Sequence, residues 1–472
     1  MQTIVPENAP ENVVLKPITW PHFDPQPIIS EITCEELEQR IERLRIAMRE
    51  RGLTHLLIYG DREHFANLMW ACHLDPRFEE ALLVVRADAA GDSTAPLLLV
   101  GNECQSYLPV SPLFRSGKLR TERYQTFSLL DQPRNASRSL QTILGDEGIS
   151  AGDRVGCVGF KYYESEFALD LPAYLVDALR QIVGADQVVS ATDLFLHPAY
   201  GFRTRCSAWE IAYFEASNWK ASEAMRRVIF AVKEGIADGD LLNEVHYDGT
   251  PLSCHMTCKT GPNRISLASP RGDLVQKGYP WSANIAFWGS NVCRAGWVAH
   301  DESDLPQHAH GYLQHFAKPY YAAMAAWLQS LRIGIAGAEI YEMVHARLPF
   351  ETFGIFLNPG HLIHYDEWTS SPIFQGSTIP IASGMVFQSD IIPSSKQYFS
   401  SRMEEGYVVA DAALQAEIQT RFPGCFSRCM SRRQFMAQTL GIALPAEVLP
   451  LSNICGIVAP FVLNPQQVLA LG

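Results

Sequence analysis

The stretch from Phe353 to Asp411 places the strongest constraint on how this chain folds. It sets His361, His364, Asp366, Glu367, Asp390, Glu404 and Glu405 among the apolar runs FGIFL, GMVFQSDI and EGYVVA. Such runs read as buried strands. Charge beside buried strands is costly unless it is paired or used, so this stretch is where chemistry is expected.

At 472 residues the chain exceeds one ordinary core, which predicts two domains with tails. A formal net charge of -13 argues against a nucleic-acid partner, because phosphate binding needs clustered Lys and Arg. A small-molecule substrate is expected instead. The 11 cysteines are scattered, and the pairs Cys254/Cys258 and Cys425/Cys429 have no second pair at metal-site spacing. Buried thiols in a reducing, cytoplasmic setting are the expectation. The first thirty residues are Pro-rich and acidic, unlike a signal peptide, and no run of about 18 apolar residues predicts a membrane span.

Residues 1–30 read as an arm punctuated by prolines. Thr33 and Glu36 predict a capping box opening a helix that stops at Gly52. HLLIY, ALLVV and LLLV then predict buried strands. Helices near 136–148 and 163–183 alternate with the strands VGCV and VVS, so residues 31–200 read as an α/β domain. Ser207 and Glu210 predict a second capping box on a helix running to about Lys233. Residues 255–300 read as antiparallel strands, followed by helices at about 306–331 and 337–352 and then the charged stretch. Residues 201–411 thus read as an α+β domain, and 412–472 as an extension packed on the body.

Four motifs in order carry a resemblance: RTRCSAWEIAYFEAS before the long helix, PGH at 359–361, GMVFQSD, and SRMEEGYVV. Together they resemble the creatinase, aminopeptidase P and prolidase family. The resemblance implies a creatinase-like α/β N-terminal domain, then a "pita-bread" α+β catalytic domain. In the metallopeptidases of this family two Asp, one His and two Glu hold a metal pair that activates water. By motif, the His matches His361 and the two Glu match Asp390 and Glu404. The Asp positions carry Asn284 and Asn291, in a hairpin that looks shortened. Replacing two anionic ligands by neutral amides removes the charge that two dications require, so no metal cofactor is expected.

That pattern is similar to creatinase and ectoine hydrolase, which work without metal on small nitrogenous substrates. Creatinase, however, uses a histidine in the segment matching about Leu267 to Pro270, where none stands here. The leading expectation is metal-independent hydrolysis of a C–N bond, with His361, Asp390 and Glu404 at its centre and Asn284, Asn291, Glu367 and His255 lining it. HLIHYDEW resembles a segment of a family member that performs β-elimination, which makes a lyase the alternative, with Asp366 or His364 moving the proton. A dinuclear Xaa-Pro aminopeptidase and a non-catalytic binding module are the remaining readings. LDPRFEEALLVV resembles the creatinase segment whose arginine reaches a neighbouring subunit's pocket, which implies a homodimer with Arg77 in composite sites.

Overall fold

The structure is a computed structural model that describes residues 12–88, 95–262 and 268–472. The beginning of the arm, up to residue 11, and Leu267 of the segment compared with creatinase lie outside the described residues. The chain divides into two compact units, residues 30–203 and residues 1–29 with 204–472. The arm and the C-terminal extension therefore belong to the same unit as residues 204–411. Strand β1 (Val13–Pro17) lies in that unit, and its partner comes last in the chain.

In the unit 30–203, Thr33 caps the helix Cys34–Glu50 by accepting from Glu36 N–H at 3.2 Å. Only half of the predicted box forms, because the Glu36 carboxylate turns to Arg40 at 2.9 Å. Six strands follow: β2 (His55–Gly60), β3 (Ala81–Arg86), β4 (Leu97–Val100), β5 (Arg120–Arg123), β6 (Val155–Val158) and β7 (Val188–Ser190). They form one mixed sheet in the order β5-β4-β3-β2-β6-β7. The helix expected from 163 starts only at Ala173, where Pro172 supplies its N-cap, and the residues before it form bends and turns. Its Leu175 and Leu179 pack on Leu57 and Val155 of the sheet.

The second unit opens with the helix Ala208–Ala231, whose capping box closes in both directions between Ser207 and Glu210. Two four-stranded sheets follow. The first orders β13 (Arg402–Glu404), β10 (Ser290–Trp297), β9 (Pro280–Phe287) and β8 (Thr257–Thr260); the second orders β11 (His361–Leu362), β12 (Val386–Gln388), β14 (Gly406–Val409) and β15 (Val448–Pro450). The chain's last strand, β16 (Gln467–Leu471), pairs antiparallel with β1.

Trp281 and Trp297 of the first sheet and Tyr320, Tyr321 and Trp327 of the helix Lys318–Ser330 anchor the core of this unit. The single helix expected at 306–331 is instead a series of short turns until Lys318. FGIFL is not a strand: Gly354, at φ 58°, ends the short helix Phe350–Phe353, and Phe356 is 78% exposed. The strand lies later, at His361, where the chain can pair with β12. The extension is ordered by a buried ion-pair group, in which Arg428 and Arg432 both meet Glu215 of the long helix.

Candidate functional site

Register decides which side chains share a face. In the first sheet Asn284 opposes Cys293, and Cys293 in turn opposes Glu404. Paired residues of an antiparallel ladder point to the same side, as do residues two apart. Asn284, Asn291, Cys293, Arg402 and Glu404 therefore face one way. In the second sheet His361 opposes Gln388, and Asp390 lies two residues further on.

The two sets converge. His361, Asp390 and Glu404 each offer one nitrogen or oxygen atom, all within 4.8 Å of one another and all buried. His361 Nε2 lies 3.1 Å from Glu367 Oε1 and 3.8 Å from Asp390 Oδ2. Asn291 Nδ2 donates to Glu404 Oε1 at 2.8 Å and to Glu367 Oε1 at 3.3 Å. Asn284 is engaged differently: its Oδ1 accepts from Cys293 Sγ at 3.0 Å, and its amide nitrogen donates to the His255 carbonyl at 3.4 Å.

Electrostatics divides the carboxylates. Burial opposes protonation of His361, but Glu367 and Asp390 outweigh it and hold the imidazole pKa above its ordinary value. Burial likewise works against the Glu367 charge, yet His361 and the Asn291 amide keep its pKa low. Asp390 is raised by burial and then by Glu367. Glu404 is pushed well above the carboxylate range by burial, then by Asp390 and Glu367. The site thus holds a His361–Glu367 ion pair beside two carboxyls of raised proton affinity, with Glu404 raised much further than Asp390.

Three further residues belong to this neighbourhood. Trp368 stacks on His361 with ring centroids 4.1 Å apart and planes 17° from parallel. Gln388 is fully buried, and neither atom of its amide has a hydrogen-bond partner among the described residues; Asp390 Oδ1 also lacks one. Burial disfavours the Arg402 charge, but Cys293, Asp390 and Glu404 hold its pKa up. The same three-residue span that supplied Asp366 and Glu367 contained Trp368. Gln388 and Arg402 each stand two residues before a matched ligand position, so strand alternation alone would have found them.

Other expected site residues lie elsewhere. His364 Nε2 meets Glu210 Oε1 at 3.0 Å rather than the carboxylates around His361. Asp366 accepts from Thr369 Oγ1 at 3.3 Å and is partly exposed. His255 is exposed and contributes its carbonyl to Asn284. Glu404 does not pair with Arg294, whose side chain meets Glu405 at 2.8 Å and reaches Glu404 only through its carbonyl. Arg77 lies in the unit 30–203 at φ 60°, with its guanidinium on Tyr107 Oη at 3.0 Å.

The donor set fits one metal ion better than two. His361, Asp390 and Glu404 can supply three ligands, and Glu367 adjoins them. Where a second ion would need carboxylates the face presents Asn284, Asn291 and a thiol whose pKa burial drives up.

No family model matches the sequence, and no curated protein matches it. Solved structures do. A prolidase from Pyrococcus horikoshii OT3 aligns with TM-score 0.60 and 13% identity, spanning 79% of this chain and 95% of that one. Dipeptidase PepE from Mycobacterium ulcerans gives 0.60 and 18% over 81% of this chain and 95% of its own. A putative aminopeptidase P from Bacillus anthracis gives 0.58 and 9% over 80% and 93%. At these identities the likeness establishes the fold: the two-domain, pita-bread architecture seen in prolidases and aminopeptidase P.

Proposed function

We propose that this chain hydrolyses a C–N bond in a small, polar, nitrogenous substrate and does so without a dinuclear metal centre. The observation that carries the reading is the Asn291 amide seated on Glu404 Oε1, where the resemblance called for an anionic ligand. A neutral donor there ties up a carboxylate oxygen and adds no charge to hold a cation.

The remaining groups suit acid–base chemistry. Asp390, made more basic by burial and by Glu367, takes a proton from water as its oxygen attacks the electrophilic carbon. The C–N bond breaks as His361 Nε2, kept protonated by Glu367, delivers its proton to the leaving nitrogen. Glu404, retaining its proton, donates a hydrogen bond to the developing oxyanion. Trp368 covers the imidazole face and limits water around it. Arg77 acting across a homodimer belongs to the same reading.

The test compares wild type with Asp390→Asn/Glu404→Gln on a panel of amidines, guanidines, N-acyl amines and Xaa-Pro dipeptides. The dipeptides enter because one structural neighbour is named an Xaa-Pro dipeptidase. Turnover by wild type, its loss in the folded double variant and equal metal content in both support the reading. A double variant lacking two metal equivalents that wild type carries would overturn it.

A further inference from the structure

A second group of ligand-type side chains lies apart from the carboxylates around His361. Cys206, Glu210 and His364 each bring one sulfur, oxygen or nitrogen atom within 4.8 Å of the other two, and all three residues are buried. Each is held by a separate local constraint. Cys206 N–H donates to the Gly384 carbonyl at 2.8 Å, and a Cβ on Gly384, at φ 87°, would come within 3.2 Å of the Cys206 carbonyl oxygen. Glu210 spends Oε2 on the Ser207 N–H at 2.8 Å in the capping box, which aims Oε1 at His364. His364 is fixed by its N–H on the Asp366 carbonyl at 3.1 Å and by edge-on contacts to Phe214 and Tyr365, with centroids 5.0 and 4.5 Å away.

We propose that Cys206, Glu210 and His364 form a buried site for one transition-metal ion of the zinc class. Charge is the first argument. A thiolate, a carboxylate and a neutral imidazole carry two negative charges, so a bound dication leaves the group neutral, as a buried site requires. Geometry is the second. With bonds of about 2.0–2.3 Å, tetrahedral ligands stand roughly 3.3–3.8 Å apart. The 3.0 Å between Glu210 Oε1 and His364 Nε2 therefore needs to widen by only a few tenths of an ångström. Ligand type is the third, because sulfur with imidazole selects zinc, iron or copper over magnesium and calcium. The ion would tie the N-terminus of the helix Ala208–Ala231 to the segment that follows His361, a structural duty independent of the hydrolase reading.

Cobalt(II) titration of the full-length protein tests this. The expected result is a near-ultraviolet thiolate-to-cobalt charge-transfer band with tetrahedral d–d absorption, saturating at one equivalent. It is lost in Cys206→Ser and kept in Asp390→Asn/Glu404→Gln, which removes the two carboxylates that would hold cobalt beside Cys293. No such band at saturation, or a band that Cys206→Ser retains, overturns the proposal. Should Cys206→Ser fail to fold, zinc-edge X-ray absorption of wild type loaded with one equivalent decides: one sulfur with nitrogen and oxygen neighbours supports the site, and a shell without sulfur overturns it.

Discussion

Replacing Asn284 and Asn291 together by aspartate tests whether these two amides are what turn the centre away from a metal pair. In wild type the Asn291 nitrogen lies 2.8 Å from Glu404 Oε1. Above the pH at which Glu404 gives up its proton, a carboxylate oxygen in its place would put two like charges at that separation, a repulsion of about 6 kcal/mol at an effective dielectric of 20. Proton uptake by one acid caps the cost, since each unit of pKa shift is worth about 1.4 kcal/mol. The metal-free double variant should therefore be about 2–4 kcal/mol less stable than wild type above neutral pH. A divalent ion at one hundred times its dissociation constant should restore about 2.7 kcal/mol. The assay is urea unfolding in chelator and in Mn²⁺, with calorimetric titration for stoichiometry. Manganese is chosen because a thiolate site disfavours so hard an ion. Two results would refute the reasoning. A double variant as stable as wild type in chelator would show that Asn291 does not face Glu404. Wild type binding two Mn²⁺ as tightly as the variant would show that the amides are no barrier.

Arg294→Met should cost about 3–5 kcal/mol in chemical denaturation, because it strands the buried Glu405 charge and frees the carbonyls of Cys293, Ile454 and Ile457. Glu404→Gln should change the pH dependence of stability. Folded Glu404 binds its proton more tightly than the unfolded side chain, so wild type loses stability as pH rises from about 4.5 toward the folded value, whereas Gln does not. Unfolding curves across pH should show the variant gaining on wild type only on the alkaline side, and a gap independent of pH would contradict the assignment. Ser207→Ala should cost about 1 kcal/mol by removing the acceptor for Glu210 N–H, measured by the same unfolding assay.

The convergence of His361, Asp390 and Glu404 was legible because each sits in or beside a short apolar run that forms a strand of the two site sheets. Cys293 was legible in principle. The turn Trp288–Gly289 joins Phe287 to Ser290, and counting back along the hairpin pairs Asn284 with Cys293. The partner of His364 was not legible, since Glu210 lies 154 residues away and its helix cap explained it fully. FGIFL misled because an apolar run without a period carries no information on which residues are covered, and a glycine with positive φ ends a helix there. Which acid meets Arg294 was not legible for a related reason. Adjacent acids on a strand face opposite ways, and only the register says that Glu405, not Glu404, meets the arginine.

Strands β13 and β14 belong to different sheets yet are separated by a single residue, Glu405. That residue is clamped by Arg294, by the Tyr407 hydroxyl at 3.0 Å and by Gly456 N–H at 2.7 Å. The two walls of the candidate site are thus welded at one point, and they cannot slide apart like the jaws of a cleft. The turn that carries Glu367 and the 38% exposed Trp368 is built into neither wall. The same turn supplies the counter-ion of His361, so uncovering the imidazole also strips it of the charge that keeps it protonated.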